Sequence, residues 1–309
     1  MSPRVPPTVN RRTLLRASGA AALGAIAGCP ASGRDVSCCS GPLTDSGARA
    51  PDAPAAADKP ASLVADPAGI VDLPPGFSYR VLQRFGDPLS DGYRMAGRPD
   101  AMGAFGGADG SIVLMRNHEL TSSHVDSAPF TPEQGPPPEA YDQNGTGGVT
   151  RVVLDPETLA IRSSNLVLAG TFWNCAGGLS PWGWLSCEET VEPNHGYVFL
   201  CPSDAERVAA ARPIRGYGRF RHEAASVDPT TMIAYLTEDQ NDGCFYRFLP
   251  NSKDTPFEGK LQALRLMGEP GFDTSPLTPG KPLPVDWVEV PNPDPDDDSV
   301  RFQAHAAGA

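Results

Sequence analysis

His222-Glu223-Ala224-Ala225-Ser226 runs, across a turn, into Met232-Ile233-Ala234-Tyr235-Leu236-Thr237-Glu238-Asp239. The same pattern occurs twice more. Arg98-Pro99-Asp100-Ala101-Met102-Gly103 leads into Ser111-Ile112-Val113-Leu114-Met115-Arg116-Asn117-His118-Glu119. Asn174-Cys175-Ala176-Gly177-Gly178 leads into Trp182-Gly183-Trp184-Leu185-Ser186-Cys187-Glu188-Glu189. Each time a residue able to bind a cation precedes Ala, small residues follow, and an apolar strand after the turn stops at acid. A unit of this kind, repeated, is the signature of stacked or radial architecture. Arranged about an axis, the units would gather carboxylates, one amide and one thiol at a single mouth. Bound cations are what would hold such a cluster together. The expectation is an all-β, β-propeller-like, metal-binding fold.

The rest of the body agrees with strands. Val149–Leu154 runs into the turn at Asp155-Pro156, and Asn165–Ala169 follows. Tyr197–Leu200 comes after the Glu188-Glu189 strand, and Cys244–Leu249 after the Glu238-Asp239 strand. With 34 Pro and 32 Gly the chain is rich in turns. Helical periodicity is scarce; its best candidate is 203–212. Arg301-Phe302-Gln303-Ala304-His305-Ala306-Ala307-Gly308-Ala309 echoes Arg219–Val227 and reads as the start of a further unit. The sequence stops at Ala309, so the propeller is expected to be incomplete at its C-terminus.

The ends of the chain read differently. Asn10-Arg11-Arg12-Thr13-Leu14-Leu15 and the Ala/Gly-rich run that follows form a twin-arginine export signal. Ile26-Ala27-Gly28-Cys29 resembles a lipobox, so Cys29 is expected to carry a lipid that tethers the mature protein to a membrane. The organisation is thus 1–28 signal, 29–65 a disordered tether of Ala, Pro, Ser, Gly and Asp, and 66–309 the β domain. Periplasm or cell surface is the expected location. The net charge of −12 argues against nucleic-acid binding and is compatible with cations.

Seven cysteines are present. In an exported chain disulfides are the default, and Cys187 and Cys201 flank a hairpin that could pair them. Taken singly, Glu119 and Glu238 read as solvated strand-end acids. One of Glu188 and Glu189 must face away along its strand. Alternation turns His118 and His222 to the face opposite the ligands and places Arg221 on the face of Glu223. The acidic run at Asp294, Asp296, Asp297 and Asp298 reads as a solvated loop or a calcium loop.

Several of these segments together resemble the PhoX-type alkaline phosphatases (DUF839): Arg116-Asn117-His118-Glu119, Gly147-Gly148-Val149-Thr150-Arg151, Asn174-Cys175-Ala176-Gly177-Gly178, Cys187-Glu188-Glu189, Arg219-Phe220-Arg221-His222-Glu223 and Leu236-Thr237-Glu238-Asp239. They occur in the family's order over residues 70–309. The resemblance implies a propeller carrying iron and calcium that hydrolyses phosphate monoesters outside the cytoplasm. It implies metal ligation by Asn117, Glu119, Cys175, Glu223 and Asp239. Cys175 is the iron thiolate and is therefore kept out of any disulfide. Arg221 is the candidate phosphate-binding residue. The family's motifs continue to an Arg-Gly-Glu segment that supplies a substrate-binding Arg and a metal-bound Glu, and this sequence lacks it. The competing expectation is therefore a non-catalytic, truncated metal-binding propeller module. A calcium-dependent lactonase on a similar scaffold is a third reading.

Overall fold

The computed structural model describes residues 62–280 and 282–309. The expected export signal, Cys29 and most of the expected tether lie outside them. Residues 62–76 belong to a first compact unit, where Val64 bridges to Leu73 and the Asp66 carboxylate accepts the amides of Ala68 and Ile70.

The second unit, Phe77–Ala309, is built from three antiparallel sheets, each a run of consecutive strands. The first holds β1 (Pro99–Gly106), β2 (Ile112–His118), β3 (Gly147–Leu154) and β4 (Ile161–Thr171) in that order. The second holds β5 (Asn174–Ser180), β6 (Gly183–Glu188) and β7 (Val198–Cys201). The third holds β8 (His222–Val227), β9 (Ala234–Glu238), β10 (Phe245–Ser252), β11 (Thr255–Leu266) and β12 (Val285–Glu289). The expected all-β class holds. The three repeated stretches are the first two strands of the three sheets, in order.

The second sheet sits between two apolar layers. Val113, Met115, Val149 and Val167 of the first sheet pack with Trp184 and Phe199 of the second. Leu185, Cys187 and Val198 pack with Ala225, Leu236, Tyr246, Phe248 and Leu261 of the third. Alternate residues of β6 therefore serve different cores, and every residue of β6 is buried. Each fully buried Leu or Phe contributes about 2 kcal/mol to this packing.

The first strands of the sheets lie against one another, which their small residues permit. A Cβ on Gly178 would stand 1.7 Å from the Ala225 carbonyl oxygen, so β5 approaches β8 at backbone distance. A Cβ on Gly103 would stand 2.7 Å from the Trp184 ring.

Three expectations are corrected. The stretch 203–212 is not helical. Its backbone is drawn along the first sheet instead: Arg151 donates to Ser203 O, Asn165 to Ala205 O, and Ala209 N to Val167 O. Tertiary bonds override its local propensity. The stretch that echoes β8 forms a helix, α1 (Val300–Ala306), rather than a strand. Its Ala-rich run suits a helix, and Gly308 closes it at φ +91°. Cys187 and Cys201 are not paired: Cys187 lies opposite Val198 and Cys201 opposite Trp184, and both thiols are free and buried.

Candidate metal centre

The site is made by one local device used in all three sheets. Pro99 pairs with His118, Asn174 with Glu188, and His222 with Glu238. After each of these pairs the first strand carries one extra residue: the next pairs are Met102–Arg116, Gly177–Ser186 and Ala225–Leu236. Each first strand thus begins with a β-bulge at the same place. A bulge breaks alternation and re-aims side chains. The first bulged residues are Asp100, Cys175 and Glu223. One residue past each second strand stand Glu119, Glu189 and Asp239. Their amides donate to the carbonyls of Arg98, Trp173 and Arg221, at 2.9, 2.9 and 3.1 Å. Six potential ligands therefore occupy two sets of equivalent positions.

Three of them meet. One ligand atom each of Cys175, Glu189 and Glu223 lies within 4.8 Å of the others. The Cys175 thiol donates to Glu223 Oε2 at 3.1 Å, and Asp100 Oδ1 lies 4.0 Å from the sulfur. Asp239 hydrogen-bonds Glu189. Burial, then the hydrogen bond and negative charge of Asp239, push the Glu189 carboxyl up to about 7. Burial and the adjoining Glu223 push the Cys175 thiol far above its ordinary range. Both shifts come first from burial and then from the acids crowded beside each group. A cation would reverse them, deprotonating the thiol and ionising the carboxyl. The donor set, one sulfur with several hard oxygens, fits metal ligation.

Of the residues expected as ligands, Cys175 and Glu223 sit in this group, and Asp239 joins it through Glu189. Glu119 follows β2, half-buried. Asn117 is fully buried, and both ends of its amide are bonded. Its Nδ2 donates to the carbonyls of Cys175 and Ala176 at 3.1 and 2.7 Å. Its Oδ1 accepts from Trp184 Nε1 at 2.8 Å and Ser186 Oγ at 2.9 Å. The amide thus holds the bulge of β5 against the first sheet. Sequence alone does not choose between Glu188 and Glu189. What selects Glu189 is its neighbour: Glu188 points inward and accepts from the amides of Phe172, Gly196 and Tyr197 and from His195 Nδ1.

Glu238 is not a solvated acid. It is buried, accepts from Cys244 N and Tyr246 Oη, and lies 3.7 Å from the Arg301 guanidinium. His118 and His222 are also fully buried. His118 donates from Nδ1 to Gly97 O and accepts at Nε2 from Thr150, and desolvation holds it neutral, with its pKa lowered to about 3. His222 donates to Gly218 O and stacks on Phe220 at 3.7 Å. Two members of the acidic run are tied into the fold: Asp294 accepts from Tyr197 Oη and Arg215, and Asp298 pairs with Arg301.

Arg221 stands before the third bulge and lines a cavity of about 390 Å3 with Trp173, Glu189, Thr190, Val191 and Glu192. Its Nε is buried without a hydrogen-bond partner, and among the described residues it forms no ion pair. The floor of the cavity is fixed by Arg219, which donates to the carbonyls of Val191 and Glu192.

No curated protein and no solved structure matches this chain. The family described as alkaline phosphatase PhoX matches residues 59–165 and 157–309, which take in every strand and both sets of ligand positions. The chain belongs to the PhoX alkaline phosphatase family.

Proposed function

We propose that this protein is an exported, metal-dependent phosphomonoester hydrolase whose centre holds iron and calcium. The observation that carries the reading is the meeting of Cys175, Glu189 and Glu223 from two sheets, their ligand atoms within 4.8 Å of one another. Cys175 is the thiolate for iron. Glu189 and Glu223 supply hard oxygens, and Asp100, Glu119 and Asp239 stand at the equivalent positions around them, suited to calcium, which takes six to eight oxygens. Bound there, the metals would supply positive charge against the phosphoryl oxygens as negative charge develops in the transition state. Arg221 binds the phosphate through its guanidinium, which forms no ion pair among the described residues. Asn117 keeps the Cys175 loop in place. The three sheets, with their first strands together, are read as blades of a β-propeller. The Arg11-Arg12 leader supports export, and Cys29 supports a lipid anchor.

The test is metal analysis of protein purified through its own export route, with p-nitrophenyl phosphate hydrolysis assayed in calcium. Iron and calcium should co-purify, and chelation should abolish turnover. Folded, metal-free protein would contradict the reading; metal without hydrolysis would leave the non-catalytic alternative. Cys29→Ala should release the protein from the membrane fraction.

A further inference from the structure

The residue before each bulge is repeated as faithfully as the ligands. Arg98, Trp173 and Arg221 occupy equivalent positions, each offering its carbonyl to the acid that follows the second strand. Two copies are arginine. The third is a tryptophan, 36% exposed, in the left-handed backbone region at φ +51°. Arg98 shares the conformation at φ +45°, but a large aromatic does not adopt it unforced.

The strain is held in place by the surroundings. Trp173 N donates to Leu120 O, and its carbonyl accepts from Glu189 N. On one side Phe172 N is bound by the buried Glu188, and on the other the Asn174 amide bonds Thr171 and Ser186. A strained residue fixed this firmly beside a cluster of functional groups is a mark of use. Trp173 borders the cavity that Glu189 and Arg221 also line. That cavity, at about 390 Å3, has room for a ring beyond the phosphate.

We propose that this cavity is the subsite for the leaving group of the ester, and that Trp173 selects planar aromatic alcohols by offering them a face. The proposal rests on the phosphatase reading above. The phosphoryl end would lie toward Arg221 and the cluster, and the ring of the alcohol against the indole.

The experiment compares phenyl phosphate with glycerol phosphate as substrates for the full chain and for Trp173→Gly and Trp173→Phe. Glycine adopts the left-handed conformation freely, so its variant removes the ring without adding backbone strain. Trp173→Gly should raise KM for phenyl phosphate about tenfold. The ratio of kcat/KM for phenyl phosphate to that for glycerol phosphate should fall about tenfold, and Trp173→Phe should keep the parent's ratio. Equal losses on both esters, or no loss on either, would overturn the proposal. Should the glycine variant fail to fold, Trp173→Leu against Trp173→Phe makes the same comparison. If the parent hydrolyses neither ester, the phosphatase reading fails, and phosphonate binding decides the subsite. Phenylphosphonate preferred over methylphosphonate, with the preference lost on removing the indole, upholds it. Equal binding of the two, or none, overturns it.

Discussion

Glu188 and Glu189 are neighbours in the chain and opposites in their surroundings. Glu188 is fully buried and accepts from three backbone amides and from His195, whose other nitrogen faces Asp142 at 3.4 Å. Every lone pair it brings into the core is used. Glu189, one residue on, faces Cys175, Glu223 and Asp239, all acids. The contrast recurs in the third sheet, where Glu238 is bonded inward and Asp239 stands outward. The inner member of each pair belongs to folding. The outer member sits among other acids and shares protons with them, and a cation can take the protons' place.

Substitutions on the two sides should therefore act in opposite ways. The largest loss is expected at Glu188→Ala, which strands a buried His195 and several amides. It should cost about 3–5 kcal/mol in urea unfolding. A cost below about 1 kcal/mol would break the comparison. Gly178→Ala tests the close approach of β5 and β8, since its Cβ would overlap the Ala225 carbonyl. It should cost about 3 kcal/mol, read as a Tm lower by about 6–12 °C. Glu189→Gln should instead leave the metal-free protein as stable as the parent or more so, while weakening cation binding about a hundredfold.

The smallest effect is a pH dependence. Burial alone would lower the His195 pKa, but the Glu188 hydrogen bond and charge, aided by Asp142, raise it above 6.5. A raised folded value means that His195 stabilises the protein fully below its unfolded pKa. That contribution fades as pH rises through the folded value. Stability should thus fall as pH rises above about 6.5, and His195→Gln should flatten the slope. A slope unchanged in the variant would assign it to another group.

Much of this was legible in the sequence because the repeat ties local pattern to chemistry. The stretches starting at Arg98, Asn174 and His222 marked the first strands, and their acidic ends marked the site. The pattern also put Asp100, Cys175 and Glu223 in one position, each before an alanine. What sequence hid was the bulge. Strict alternation placed Arg221 and Glu223 on one face, but the extra residue after His222 breaks that count. For the same reason it offered no choice between Glu188 and Glu189, which depends on the loop bearing Phe172 and His195. Asn117 was legible as a polar group at the mouth but not as a brace, because its partners, Trp184 and Ser186, come from another sheet. The 203–212 stretch and α1 were misread because Ala-rich segments take either form according to what lies beside them.

The crowding of Cys175, Glu189 and Glu223 into a cation site is tested most directly by thermal unfolding with and without cations. Calcium and iron at about a hundred times their dissociation constants should stabilise the chelator-treated parent by about 2.7 kcal/mol. The Cys175→Ala, Glu223→Gln double variant should show no such gain. An unchanged Tm in the parent, or an equal rise in both proteins, would contradict the metal centre.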